Sequence, residues 1–113
     1  MNTKGFEEWS PETLLKHIGK VKVIDVRRPD EFSGELSHIQ GAELVTLESR
    51  LDTYLSRHSH ELRDQSLVFV CRSGARSHHA AQLALSKGYQ HCINLEGGMI
   101  AWNQKKFPTE GAK

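Results

Sequence analysis

Leu67-Val68-Phe69-Val70-Cys71-Arg72-Ser73-Gly74-Ala75-Arg76-Ser77 is the stretch that decides the fold. Its first four residues form a short apolar run of the kind that fills a buried strand. Cys71 follows directly, then a tight polar loop containing Gly74. From Arg76 to Lys87 the sequence is rich in Ala and Leu and predicts a helix, with Gly88 as its C-terminal cap. A strand, a tight loop and a helix N-terminus together make an anion cradle: loop N–H groups point inward and the helix dipole adds partial positive charge. Ligands of open parallel sheets bind at the carboxyl ends of strands, and Cys71 stands at one.

Working outward, other apolar runs alternate with helical segments, which predicts an α/β domain with a mostly parallel sheet. Val21–Val26 reads as a buried strand, Ala42–Leu47 as a short one and Cys92–Leu95 as another. Ser10-Pro11-Glu12 predicts a helix start, with Ser10 as N-cap, Leu14, Leu15 and Ile18 as its apolar face and Gly19 as its end. Arg27–Gly41 reads as a long connection with one helical turn opened by Pro29-Asp30-Glu31. Glu48–His58 reads as a helix with Leu51, Tyr54 and Leu55 at matching spacing, and Gly97-Gly98 as a turn before a short helix carrying Met99, Ile100 and Trp102. The whole chain, 1–113, is expected to be one domain with its core at about 9–104 and a polar tail at 105–113.

With 113 residues, 37% apolar and 26% charged, the chain has the composition of a soluble globular domain that needs no disulfide or structural metal. A formal net charge of +1 argues against a nucleic-acid partner. No apolar run approaches a membrane span, and Met1–Glu8 has no apolar stretch of the signal-peptide kind. The expected compartment is therefore the cytoplasm, with no membrane partner and with Cys71 and Cys92 as free thiols. Between Gln65 and Leu95 there is no Asp or Glu, whereas Arg72, Arg76, Lys87, His78, His79 and His91 all fall there. Such a stretch predicts an anionic ligand, unless the segregation is chance.

A cysteine in this cradle is expected to ionise more readily than a free one, because cationic neighbours and helix N-termini favour the thiolate, which is the nucleophile. The competing reading of Cys71, a small hydrophobe packed at a strand end, is disfavoured by Gly74, the two arginines and the helix start.

Cys71-Arg72-Ser73-Gly74-Ala75-Arg76-Ser77 resembles the active-site loop of the rhodanese family. Val23-Ile24-Asp25-Val26-Arg27 with Pro29, Glu31 and Phe32 is similar to that family's early strand and turn. His38-Ile39-Gln40-Gly41-Ala42 and Leu95-Glu96-Gly97-Gly98-Met99-Ile100-Ala101-Trp102 resemble two further signatures, so the likeness runs from about Trp9 to Trp102. Gln40 stands where proline is usual, and Ser37 where glycine is common. The resemblance implies a three-layer α/β/α fold with a five-stranded, mostly parallel sheet. It also implies a thiosulfate sulfurtransferase in which Cys71 takes sulfane sulfur as a persulfide and gives it to cyanide or a thiol. The donor is then a small thiosulfate-like anion held by the loop Arg72–Ser77, and no cofactor is needed. A protein sulfur acceptor is a possible partner.

Four residues separate Cys71 from Arg76. The related cysteine phosphatases have five and a histidine before the cysteine, where this chain has Val70. The shorter loop suits a sulfur atom better than a phosphoryl group. Within the sulfurtransferases, Arg72 and Arg76 favour a dianionic donor over mercaptopyruvate. Two alternatives remain: a carrier module relaying persulfide sulfur between proteins, and a non-catalytic regulatory domain, which has no need of a thiolate cradle. Asp25 and Arg27 are either an ion pair bracing the loop or a solvated pair. His78 and His79 are candidates for the mouth of the site; adjacent on a helix, they point apart and have no companion ligands, so no metal is expected. Cys92 reads as a packed thiol, with a resolving role as its alternative, and Trp9 and Trp102 as core anchors.

Overall fold

The computed structural model describes residues 5–111. The leading residues of the polar N-terminal stretch, 1–4, and the last two of the tail, 112–113, lie outside it. Five strands are present: β1 (Glu7–Trp9), β2 (Lys22–Asp25), β3 (Glu43–Leu44), β4 (Ser66–Val70) and β5 (His91–Leu95). Between and after them run α1 (Pro11–His17), α2 (Pro29–Phe32), α3 (Leu51–Arg57), α4 (Ser59–Leu62), α5 (Ala75–Ser86) and α6 (Gly98–Gln104). The strand order is β1-β5-β4-β2-β3, and every ladder is parallel.

Each strand has to satisfy both faces of the sheet, and the alternation along β4 shows how. Leu67, Phe69 and then Cys71 join Ile24, Leu51, Leu55, Ala80, Ala81 and Ala84 on the side covered by α3–α5. Val68 and Val70 join Leu14, Val23, Ile93, Leu95, Met99 and Trp102 on the side covered by α1 and α6. Two apolar layers separated by one buried parallel sheet make the three-layer α/β/α architecture. No described helix is long and apolar enough to cross a membrane.

The local signals act as the residues dictate. The Ser10 hydroxyl accepts from the Thr13 N–H and caps α1, with Pro11 at its first position. The strand read at 42–47 is shorter, yet its extension still bonds to β2, through Val45 N–H to the Asp25 carbonyl and Leu47 N–H to that of Val26. The helix read at 48–58 starts three residues later, after a turn in which Arg50 and Leu51 both donate to the Thr46 carbonyl. Two elements escape the residue patterns. β1 is three residues long with two acids and lies at the sheet edge, and α4 is a single turn that buries Leu62. In the polar tail, Phe107 packs edge-on against Trp102, and the Glu110 backbone exchanges hydrogen bonds with that of His38.

Asp25 and Arg27 form an ion pair inside the protein, both side chains 1% exposed. The guanidinium meets the carboxylate in a two-pronged contact, Nε to Oδ1 at 2.9 Å and Nη2 to Oδ2 at 2.8 Å. The Arg27 N–H also donates to Asp25 Oδ1, and Nη2 reaches the Ser37 carbonyl at 2.7 Å. Ser37 has φ +56°, a left-handed conformation that explains why glycine would be at home there. The Thr46 hydroxyl donates to the Arg27 carbonyl, and Val26 N–H to that of Val70. One buried pair thus ties the end of β2 to the 27–41 connection beside the end of β4. Asp25→Ala leaves the guanidinium buried and unpaired, and unfolding in urea is expected to show a loss of about 3–5 kcal/mol. Asp25→Leu combined with Arg27→Met is expected to cost clearly less, since it removes both charges.

Candidate active site

Cys71 follows β4 at the carboxyl edge of the sheet, and its residue is 1% exposed. Gly74 turns the chain back toward it. With φ +111° at the N-cap of α5, Gly74 places its N–H 3.0 Å from Cys71 Sγ. The Ser77 hydroxyl, in the first turn of α5, lies 3.3 Å from the same sulfur. The sulfur therefore sits over the N-terminal end of a 12-residue helix, on the side favourable to negative charge.

The loop keeps this shape because its carbonyls are held elsewhere. The first turn of α6 donates Met99 N–H to the Cys71 carbonyl at 2.9 Å and Ile100 N–H to the Arg72 carbonyl at 3.0 Å. Between the two backbones lies Gly98, at φ +56°, where a Cβ would stand 2.4 Å from the Cys71 carbonyl oxygen. Only glycine allows that approach. On the β5 side, Asn94 contacts both the Ser77 hydroxyl and the Gly74 carbonyl. This residue is not apparent from the loop motif; its signal in the sequence is a lone amide inside the apolar run Cys92–Leu95.

The two loop arginines part company. Arg76 makes a paired contact with the Glu31 carboxylate of α2, Nη1 to Oε1 at 2.7 Å and Nη2 to Oε2 at 2.9 Å. Among the described residues Arg72 has no ion pair; it lines a cavity of about 210 Å³ together with Arg27, Asp30, Glu31, Gly34 and Leu36. Ser73 and Ala75 face solvent. The stretch 65–95 is acid-free along the chain but not in space. Glu31 reaches Arg76, Asp52 reaches Lys87 at 2.6 Å, and Glu8 lies 3.9 Å from His78. His78 packs edge-on against Phe6, while His79 is exposed. A larger groove of about 580 Å³ runs between β3 and α3 and includes no residue of the Cys71 loop. Cys92 is buried, and burial pushes its thiol up to about 11.

Residues 10–105 match the model of the rhodanese-like domain. The chain belongs to the rhodanese-like family. A sulfurtransferase of Allochromatium vinosum is 34% identical over 88 residues, which are 78% of this chain and 77% of that protein. An uncharacterised Synechocystis protein is 38% identical over 106 residues, 92% of this chain but 56% of the relative, so this rhodanese-like chain spans little more than half of that protein's length. Among solved structures, the human single-domain sulfurtransferase superposes with a TM-score of 0.74 at 27% identity, covering 87% of this chain and 96% of that one. The family and the sulfurtransferase likeness make sulfur transfer the class of chemistry to which this rhodanese-like fold is related.

The Arg76–Glu31 pair gives a pH test of how the loop is fastened. The Arg76 hydrogen bonds hold the Glu31 carboxyl down at about 2, from an ordinary value of 4.5. A carboxyl lowered by folding stabilises the fold above its ordinary value, and that stability disappears as pH falls toward the lowered one. Urea midpoints of the wild type are thus expected to exceed those of Glu31→Gln above pH about 5, and the gap to close between pH about 4.5 and 2. A gap that persists unchanged at pH about 2 contradicts the assignment.

Proposed function

We propose that the protein is a thiosulfate-type sulfurtransferase whose catalytic residue is Cys71. The observation that carries this reading is the Gly74 N–H aimed at Cys71 Sγ from 3.0 Å at the N-terminus of α5. A thiolate placed there attacks the outer sulfur of thiosulfate. An S–S bond forms between Sγ and that sulfur, the bond from that sulfur to the sulfonate breaks, and sulfite leaves with the electron pair. The product is a Cys71 persulfide, whose terminal charge the loop N–H groups and helix dipole favour. A nucleophilic acceptor, cyanide or a thiol, then bonds to the outer sulfur and the Sγ thiolate departs, restoring the starting state.

Arg72 is the cation in this scheme that meets the sulfonate, since Arg76 is engaged by Glu31. Arg76 instead positions α5 against α2, and Asp25 with Arg27 fixes the neighbouring strand end. The loop of four residues between Cys71 and Arg76 suits a single transferred sulfur atom. Cys92 takes no part, because a buried neutral thiol is a poor nucleophile.

Mass spectrometry after incubation with thiosulfate is expected to find one added sulfur atom on Cys71, removed again by cyanide with release of thiocyanate. Cys71→Ser is expected to abolish both steps, and Cys92→Ser to retain them. Arg72→Ala is expected to lower kcat/KM for thiosulfate roughly 10- to 150-fold, the loss of one charged hydrogen bond. Full thiocyanate production by Cys71→Ser contradicts the proposal.

A further inference from the structure

Glu8 and Asn94 are direct partners in the β1–β5 ladder, so their side chains leave the same face of the sheet. Asn94 is 4% exposed, and its amide has three neighbours. Nδ2 lies 2.9 Å from Glu8 Oε1 and 3.4 Å from the Gly74 carbonyl oxygen. Both are acceptors only, so the two amide protons go to them and the amide cannot turn round without setting its oxygen against two others. Oδ1 then faces Ser77 Oγ at 2.5 Å. Two oxygens that close require a proton between them, and only the hydroxyl has one to give. Ser77 has a single proton, so toward Cys71 Sγ, 3.3 Å away, it presents a lone pair.

We propose that Glu8 and Asn94 are positioning residues that hold the Ser77 hydroxyl as a hydrogen-bond acceptor toward Cys71 and so restrain the reactivity of the resting thiol. The inference rests on the reading of Cys71 as the reactive thiol. The S–H proton points to Ser77 Oγ, the Ser77 proton to Asn94 Oδ1, and the Asn94 protons to Glu8 and Gly74. An anionic sulfur in this arrangement has the Gly74 N–H but not the hydroxyl. Turning the hydroxyl to the sulfur would strip the proton from the short contact to Asn94. A thiol so held is protected from unselective alkylation and oxidation, both of which need the thiolate. The ring facing Glu8 from α5 is His78, with Nδ1 3.9 Å from Oε2, itself backed by the edge of Phe6.

The test is the rate of Cys71 alkylation by iodoacetamide at one fixed neutral pH, in a Cys92→Ser background. The reagent is uncharged, and the measurement needs no sulfur donor. Asn94→Leu removes the short-contact acceptor without changing any charge and leaves the hydroxyl proton to be shared between the sulfur and the Gly74 carbonyl oxygen, each 3.3 Å from Oγ. Glu8→Lys sets a donor where one acceptor was, leaves the Gly74 carbonyl alone to orient the amide, and so weakens the hold of Oδ1 on the Ser77 proton. Both are expected to raise the rate roughly 2- to 10-fold, the worth of one neutral hydrogen bond. In a Ser77→Ala background the Asn94→Leu effect is expected to vanish, and most of the Glu8→Lys effect with it. An unchanged or slower rate in both variants overturns the proposal. So does the same acceleration with and without Ser77, which assigns the effect to a loosened loop or to the charge itself. Should Asn94→Leu fail to fold, Glu8→Lys decides alone, since Glu8 is partly exposed. A Cys71 that obeys Ser77 and Asn94 in this way but takes no sulfur from thiosulfate defeats the sulfurtransferase reading and leaves this one standing.

Discussion

The two hydrogen bonds from the first turn of α6 to the carbonyls of Cys71 and Arg72 are the constraint on which the site depends. A loop that closes on an anion must turn its N–H groups inward, and it can do so only if its carbonyls are satisfied outside. Met99 and Ile100 supply that outside partner. Gly98 makes it reachable, because any side chain there would collide with the carbonyl it serves. Each bond contributes about 1 kcal/mol net. Their larger effect is directional: they leave the Gly74 N–H facing the sulfur. The sheet order makes this economical. β4 lies between β5 and β2, so the loop after it is reached by Asn94 from one side, while on the other Val26 N–H bonds to the Val70 carbonyl at the end of β4.

Charge in the site is distributed by pairing rather than accumulated. Arg76 and Glu31 neutralise each other across α5 and α2, and Asp25 and Arg27 do so inside the fold. What remains uncommitted at the loop is Arg72, beside Asp30 and Glu31. In the proposed reaction this mouth, which Asp30, Glu31 and Glu35 also line, meets the donor anion through one cation and does not surround it. Backbone dipoles, which carry no counter-charge to be neutralised, are left to stabilise the sulfur itself. The hydroxyl between sulfur and Asn94 adds a neutral control over the same atom.

The sequence was most readable where one residue type has one physical reason to be present. Ser10 before Pro11, the apolar run ending at Cys71, Gly88 after α5 and the Gly97-Gly98 turn all stand where their chemistry requires. β1 was not legible in its own residues, because three residues with two acids carry no strand period; it forms because the edge of β5 accepts it. The helix end at His58 was legible, but the single turn α4 beyond it was not, because Ser59, His60 and Glu61 are polar and Leu62 alone cannot mark an apolar face. Within the site, Cys71, Gly74 and Ser77 were visible as a local motif. Glu31, Asn94 and Glu8 were not, because each stands on another element: Glu31 is 45 residues from Arg76, Asn94 is 17 from Ser77, and Glu8 acts through Asn94, 86 residues from it. The acid-free stretch misled in the same way: the carboxylates it lacks arrive through the fold.

The central claim is that the loop presents its Gly74 amide to the Cys71 sulfur while α6 holds the opposite side still. Nitrogen–proton correlation NMR during stepwise addition of thiosulfate tests this most directly, with mass spectrometry on the same samples to count persulfide. The account predicts that the Gly74 amide resonance shifts in proportion to the persulfide formed and returns when cyanide removes the sulfur. The Met99 and Ile100 amides should stay in place. A Gly74 amide that does not move while Cys71 carries the extra sulfur would contradict the account, as would Met99 and Ile100 amides that move as far as Gly74.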